Sequence, residues 1–289
     1  MLAGFHAILS PFLFFRNLTI VAKQTKSSQS VSWLGIPARH IGPVLALTGL
    51  LLYAQTVSFE YTQDDAIVIY ENMFTTEGIS GIPGLFGHDT FYGYFKDESK
   101  LRLVSGGRYR PLTPAMFAVE WAIAGPHQPW LSHLMNAVWY GLLCWVLFGF
   151  LRALLTPRLS SATAVQVAGW ATLLFALHPI HTEVVANIKG RDEIIAALGA
   201  IGGLWLMLKS QGHAKSTLLL VGSAIAFFLG MLSKENVVTM LGVAPLTLWW
   251  YHKKTSVKWL RNLAPILVAC AVFILLRGAV TGCDPGVTP

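Results

Sequence analysis

Residues 130–151 read WLSHLMNAVWYGLLCWVLFGFL, from Trp130 to Leu151, with no Asp, Glu, Lys or Arg in the run. A helix rises 1.5 Å per residue, so about 20 apolar residues cross the hydrocarbon core of a bilayer. Six further apolar stretches can be drawn: Ile41 to Phe59, Ser161 to Leu177, Ile194 to Leu208, Thr217 to Leu232, Val237 to Tyr251 and Leu263 to Leu276. The shorter ones must recruit polar flanks or lie against protein rather than lipid. Composition points the same way. The 289 residues are 54% hydrophobic and 12% charged, half the roughly 25% charge of an ordinary soluble domain, and the mean hydropathy is +0.56. The fold expected is an all-α integral membrane protein of about seven transmembrane helices.

Basic residues in short loops stay cytoplasmic, and alternate loops agree. With the N-terminus inside, the cytoplasmic segments hold Arg16, Lys23, Lys26, Arg39, Arg152, Arg158, Lys209, Lys215, Lys253, Lys254, Lys258 and Arg261. The other nine basic residues and all 14 acids then fall outside. The pI of 9.4 therefore reports topology, and no basic stripe of a nucleic-acid-binding face is present. Met1 to Ala22 is apolar but interrupted by Arg16, which favours an interfacial amphipathic helix over an extra span or a cleaved signal. Cys144, Cys270 and Cys283 show no paired spacing, so neither a disulfide framework nor a thiolate metal site is expected.

Three regions follow: residues 1–40 as a cytoplasmic or interfacial segment, 41–276 as the transmembrane module, and 277–289 as the start of a truncated external segment. Within the module, residues 60–129 form a long first extracytoplasmic loop holding nine of the 14 acids, and loops of that length usually carry function. Ala66 to Phe74 and Leu112 to Ile123 read as brief helices along the membrane surface.

Four polar constellations interrupt this apolar chain. Asp64 and Asp65 lie a few residues past the first span, where one carboxylate is placed to take a proton from an acceptor hydroxyl; an Asp-Asp helix cap explains the pair equally well. Arg108 and Arg110, ahead of Pro111 and Leu112, are external cations against the prevailing trend, and guanidinium forks suit phosphate oxygens. His178, Pro179, His181 and Glu183 precede the polar run Lys189 to Glu193; the proline breaks the spacing a helix-borne zinc motif needs, so these residues are read as orienting a substrate or the loop, with no metal assigned. Lys234 and Glu235 border a membrane helix, where charge is costly, and are read as facing a cavity. His133 and Asn136 read as glue between helices.

Taken together, Asp64-Asp65-Ala66, Tyr109-Arg110-Pro111-Leu112, His133 to Asn136, Phe175 to Glu183, Gly190-Arg191 and Leu232 to Glu235 resemble the transmembrane and tetratricopeptide-repeat O-mannosyltransferase family, relatives of the GT-C superfamily. The resemblance runs from about Ile41 to Leu276. It implies a GT-C-like bundle in which Asp64 or Asp65 is the base, Arg108, Arg110, Arg191 and Lys234 meet the donor phosphate, and His178, His181, Glu183 and Glu235 orient substrate or loop. The donor implied is a polyprenyl-phosphate-linked sugar, mannose by this resemblance, with a divalent metal left open; the acceptor is a Ser or Thr hydroxyl of an extracytoplasmic protein. Lys189 to Glu193 is similar to the bacterial branch, which implies an inner membrane with the site facing the periplasm, the endoplasmic reticulum being the alternative. Pro111-Leu112-Thr113 lacks the second adjacent proline of the superfamily's basic-Pro-Pro-Leu segment. The resemblance also implies further spans and repeats that this chain does not contain.

Three other functions compete. A glycolipid-modifying transferase would use the same groups, a transporter would place charge at mid-membrane on broken helices, and a membrane anchor for a repeat domain would not need the polar clusters to converge.

Overall fold

The computed structural model describes residues 31–62, 64–97, 108–212, 214–252 and 261–282, all within one unit that begins at Val31. The expected helix over Met1 to Ala22 and the end of the chain past Gly282 lie outside the described residues. A two-residue hairpin opens the structure: β1 (Ser32–Trp33) pairs antiparallel with β2 (Ile36–Pro37), and Leu34 and Gly35 take φ of 51° and 78° at its turn, the left-handed pair a tight hairpin requires. Trp33 is thereby buried, edge-on to Trp170 at 5.6 Å.

Thirteen helices follow among the described residues. They are α1 (Ala38–Tyr53), α2 (Asp65–Val68), α3 (Met73–Thr76), α4 (Ile82–Gly87), α5 (Tyr92–Phe95), α6 (Leu112–Ala124), α7 (Trp130–Leu155), α8 (Ser161–Leu177), α9 (His181–Ala186), α10 (Arg191–Lys209), α11 (Ser216–Ser233), α12 (Met240–Tyr251) and α13 (Ala264–Thr281). Each of the seven apolar stretches drawn from the sequence is helical. Four helical segments are long and apolar enough to cross a membrane: Ala38–Ser58, Trp130–Leu155, Ser216–Ser233 and Arg261–Thr281. The others fall short for physical reasons: α8 has 17 residues and α12 has 12, and α10 carries Arg191, Asp192 and Glu193 in its first turn. The chain is a helical membrane protein, with four helices of spanning length among the described residues.

Only about a third of each spanning segment is buried. Their outward faces carry Leu47, Leu51, Leu218 and Leu275, each more than half exposed, a surface that lipid rather than water covers. With no hydrophobic drive between helices in lipid, close contact rests on small residues. A methyl at Gly199 of α10 would lie 2.5 Å from the Ala226 carbonyl oxygen of α11, and one at Gly141 of α7 the same distance from that of Ala46 on α1. Ser223 Oγ adds a hydrogen bond to the Gly203 carbonyl at 2.7 Å.

The loop between α1 and α7 departs from the expected helix over Ala66 to Phe74. It breaks after Val68, where Ile69 takes φ −122° and ψ −90°, and restarts at Met73 because the Asn72 side chain accepts from the Phe74 and Thr75 amides. Helix α6 matches its expected extent to one residue.

Candidate active site

Asp64 and Asp65 have opposite surroundings. Asp65 is fully buried. Its Oδ2 accepts from the Thr62 amide at 2.7 Å and the Thr62 hydroxyl at 3.0 Å, and its Oδ1 accepts from the Lys189 amide at 2.9 Å. Asp65 thus ties the loop after α1 to the turn before α10. Asp64 is exposed, and although it stands at the cap position of α2 its side chain makes no cap hydrogen bond. Its carboxylate is therefore the one of the pair left available.

The turn before α10 is itself held rigidly. Asn136 Nδ2 donates to the carbonyls of Val185, Asn187 and Ile188 at 3.3, 3.0 and 3.2 Å, the interhelix role expected of it. His133 is buried and meets the Phe59 ring edge-on at 6.1 Å. A side chain at Gly190 would collide with the Val184 carbonyl, so the chain passes through glycine there.

Residues 189–193 then distribute their side chains to separate partners. Arg191 is fully buried: it pairs with Glu120, donates from Nε to Asn136 Oδ1 at 2.7 Å and from Nη2 to the Ser132 carbonyl at 2.8 Å, and stacks 4.4 Å over the Phe117 ring. The resemblance implies that Arg191 meets a donor phosphate; in the structure its fork is occupied inside the protein. Asp192 reaches Arg110 Nη1 at 3.4 Å, and Glu193 pairs with Lys234. The Lys234 ammonium is accordingly engaged by a carboxylate.

Arg110 receives Glu235 in a two-point fork, Nε to Oε2 at 2.6 Å and Nη2 to Oε1 at 2.8 Å. Its backbone amide donates to Thr90 Oγ1 at 2.8 Å, and the Arg108 amide to Asp89 Oδ2 at 2.5 Å, so a short strap holds both arginines. They border a cavity of about 390 Å³, counting its open mouth, which Lys189, Asp192, Thr113 and Ser233 also line. The Arg108 guanidinium rests 5.1 Å over the Phe91 ring. Among the described residues neither Arg108 nor Lys189 has a carboxylate within ion-pair distance. Arg110 is held by Glu235 and Asp192, and Asp192 also offsets part of the Lys189 charge, so the lining keeps a smaller, still positive balance that suits an anion. Lys189 was read in the sequence only as the start of the polar run to Glu193 and not as a site residue; the signal available was its place at the head of that run of charges.

His178, His181 and Glu183 lie elsewhere. His181 packs 4.3 Å from Phe175 and 5.6 Å from Tyr140, His178 Nδ1 accepts from the Ile180 amide at 3.2 Å, and Glu183 is exposed on α9. None of these contacts reaches the Arg110 cluster; they shape the α8–α9 turn. Among the described residues no three His, Cys, Asp or Glu side chains converge as a metal site would need.

Burial pushes the Asp65 carboxyl above the ordinary carboxylate value, and its hydrogen bonds offset this only in part. Burial would also raise Glu235, but Arg110 and Glu235's own amide outweigh it and hold the carboxyl at about 2. Since that is below the ordinary value of 4.5, the pair's contribution to stability is complete above it and is lost as pH falls toward 2. The difference in thermal midpoint between wild type and Glu235→Gln should therefore shrink on acidification across that window. A difference that holds constant throughout would show that the pair does not stabilise the fold.

These features define a class: a helical membrane protein whose loops at one helix end build a carboxylate-bearing, cation-lined cavity. Over about 70% of its length the chain is a homologue of named protein O-mannosyl-transferases. It is 31% identical over 222 residues to Protein O-mannosyl-transferase TMTC4 of Mus musculus, covering 69% of this chain and 28% of that protein. It is 31% identical over 205 residues to TMTC2 of Homo sapiens, covering 70% and 23%, and 31% identical over 201 residues to Tmtc2 of Drosophila melanogaster, covering 68% and 20%. The chain thus spans about a quarter of the length of these relatives. No family model and no solved structure matches it.

Proposed function

We propose that the chain is the membrane part of a GT-C-type glycosyltransferase of the transmembrane and tetratricopeptide-repeat O-mannosyltransferase family, moving mannose from a polyprenyl phosphate to Ser or Thr hydroxyls of extracytoplasmic proteins. The observation that carries this reading is the cavity bordered by Arg108, Arg110 and Lys189, joined through the Lys189 amide to the Asp65 loop. Asp64 takes the proton of the acceptor hydroxyl, whose oxygen attacks the sugar C1. The bond from C1 to the phosphate oxygen breaks with inversion, and the polyprenyl phosphate leaves. Arg108 and Lys189 meet the charge on that leaving phosphate, and Arg110 contributes the N–H donors that Glu235 and Asp192 leave free. The charge distribution along the chain supports a site on the extracytoplasmic face; the resemblance of Lys189 to Glu193 to the bacterial branch supports an inner membrane, with the endoplasmic reticulum membrane as the alternative.

Arg110→Lys tests this reading. Lysine keeps the charge but loses the fork, so apparent affinity for the lipid-phosphate donor should fall about tenfold, the equivalent of one charge-assisted hydrogen bond. Donor titration against labelled sugar counted on acceptor protein reads the change. Unchanged donor affinity returns Arg110 to a purely structural partner of Glu235.

A further inference from the structure

At the helix ends opposite the candidate site lies a second cavity, of about 780 Å³ counting its mouth, between α1, α7 and α10. On α10 the two regions are separated by the 19 residues from Arg191 to Lys209, about 27 Å of helix. Three cations rim it, Arg39, Arg152 and Lys209, and no carboxylate lines it. None of the three forms an ion pair among the described residues. All three side chains are exposed.

The floor is aromatic and closely fitted. Trp145 lies against Gly42, where a methyl would come within 2.5 Å of its Nε1, and Trp205 lies against Gly149, where a methyl would come within 2.7 Å of Cε2. The Lys209 ammonium sits 3.8 Å over the Trp205 ring, which leaves its N–H donors for an anion. Three like charges around one cavity repel each other, and an anion between them relieves the cost.

We propose that this cavity binds the phosphate headgroup of an anionic membrane lipid. Arg39, Arg152 and Lys209 take the phosphate oxygens, and Trp145 and Trp205 cover the glycerol region at the interface, where indole rings are favoured. A lipid rather than a soluble anion is the occupant because the cavity opens beside lipid-facing surface: Trp145 is 43% exposed, and Val44 and Leu47 of α1 face outward. The bound lipid joins the ends of α1, α7 and α10, whose other ends carry the candidate active site.

Native mass spectrometry of the full chain, with phosphatidylglycerol or phosphatidylcholine added, tests the proposal. Wild type is expected to retain phosphatidylglycerol over phosphatidylcholine. Affinity for phosphatidylglycerol should fall about tenfold or more in Arg39→Gln/Arg152→Gln/Lys209→Gln, with helicity unchanged because the side chains are exposed. The double variant Arg39→Gln/Lys209→Gln should show an intermediate loss, and gives the same readout if the triple variant yields too little protein. Equal retention by wild type and the triple variant would overturn the site. An equal loss from Arg158→Gln, a cation outside the cavity that is bonded to the Trp250 carbonyl, would reduce the effect to general surface charge. Displacement of the lipid by inorganic phosphate at equal concentration would replace the lipid with a soluble anion.

Discussion

Asp64→Asn is expected to lower sugar transfer by about 10² to 10⁴-fold, the range a general base contributes, with membrane insertion and thermal midpoint as in wild type. Asparagine matches the carboxylate in size, and the Asp64 side chain holds no cap hydrogen bond in the fold. Asp65→Asn should behave differently. Its carboxylate accepts three hydrogen bonds while fully buried, and an amide in its place turns a donor toward at least one of those donors. The expected result is a lower midpoint together with an activity loss that tracks the amount of folded protein. The measurement is transfer of mass-tagged sugar to acceptor protein, normalised to folded enzyme by a thermal-shift signal in detergent. Near wild-type turnover in Asp64→Asn would remove the base assignment and leave only homology behind the functional reading.

Arg191→Met should produce the largest loss of stability of any single change considered. It strands Glu120 and leaves the Asn136 and Ser132 acceptors without their donor inside the protein. Removing one partner of a buried pair costs roughly 3–5 kcal/mol. Replacing both partners, in Arg191→Met/Glu120→Leu, should restore part of the midpoint, since no uncompensated charge then remains buried. Thermal unfolding in detergent and the yield of membrane-inserted protein measure both variants. A stable Arg191→Met that instead loses affinity for the lipid-phosphate donor would return Arg191 to the phosphate role the resemblance implied.

What the sequence alone determines is whatever lipid and short-range chemistry demand. A run such as Trp130 to Leu151 must be helical in a bilayer, because no water is there to satisfy its backbone, and all seven apolar stretches are helices. The polar clusters were equally legible, since charge is expensive beside such helices. Tertiary structure alone decides which member of each cluster is available. Asp64 and Asp65 are adjacent, yet the amides of Thr62 and Lys189 claim one carboxylate and leave the other exposed. Lys189 and Arg191 are two residues apart at the start of a helix, so they face different directions: one lines the cavity while the other is sealed against Glu120. The side-chain partners that make these choices, from Asn136 to Glu235, lie 82 or more positions away in the chain for Arg110 and 55 or more for Arg191, beyond the reach of any local pattern. Burial, which sets the energy of a charge, exists only once the helices have packed.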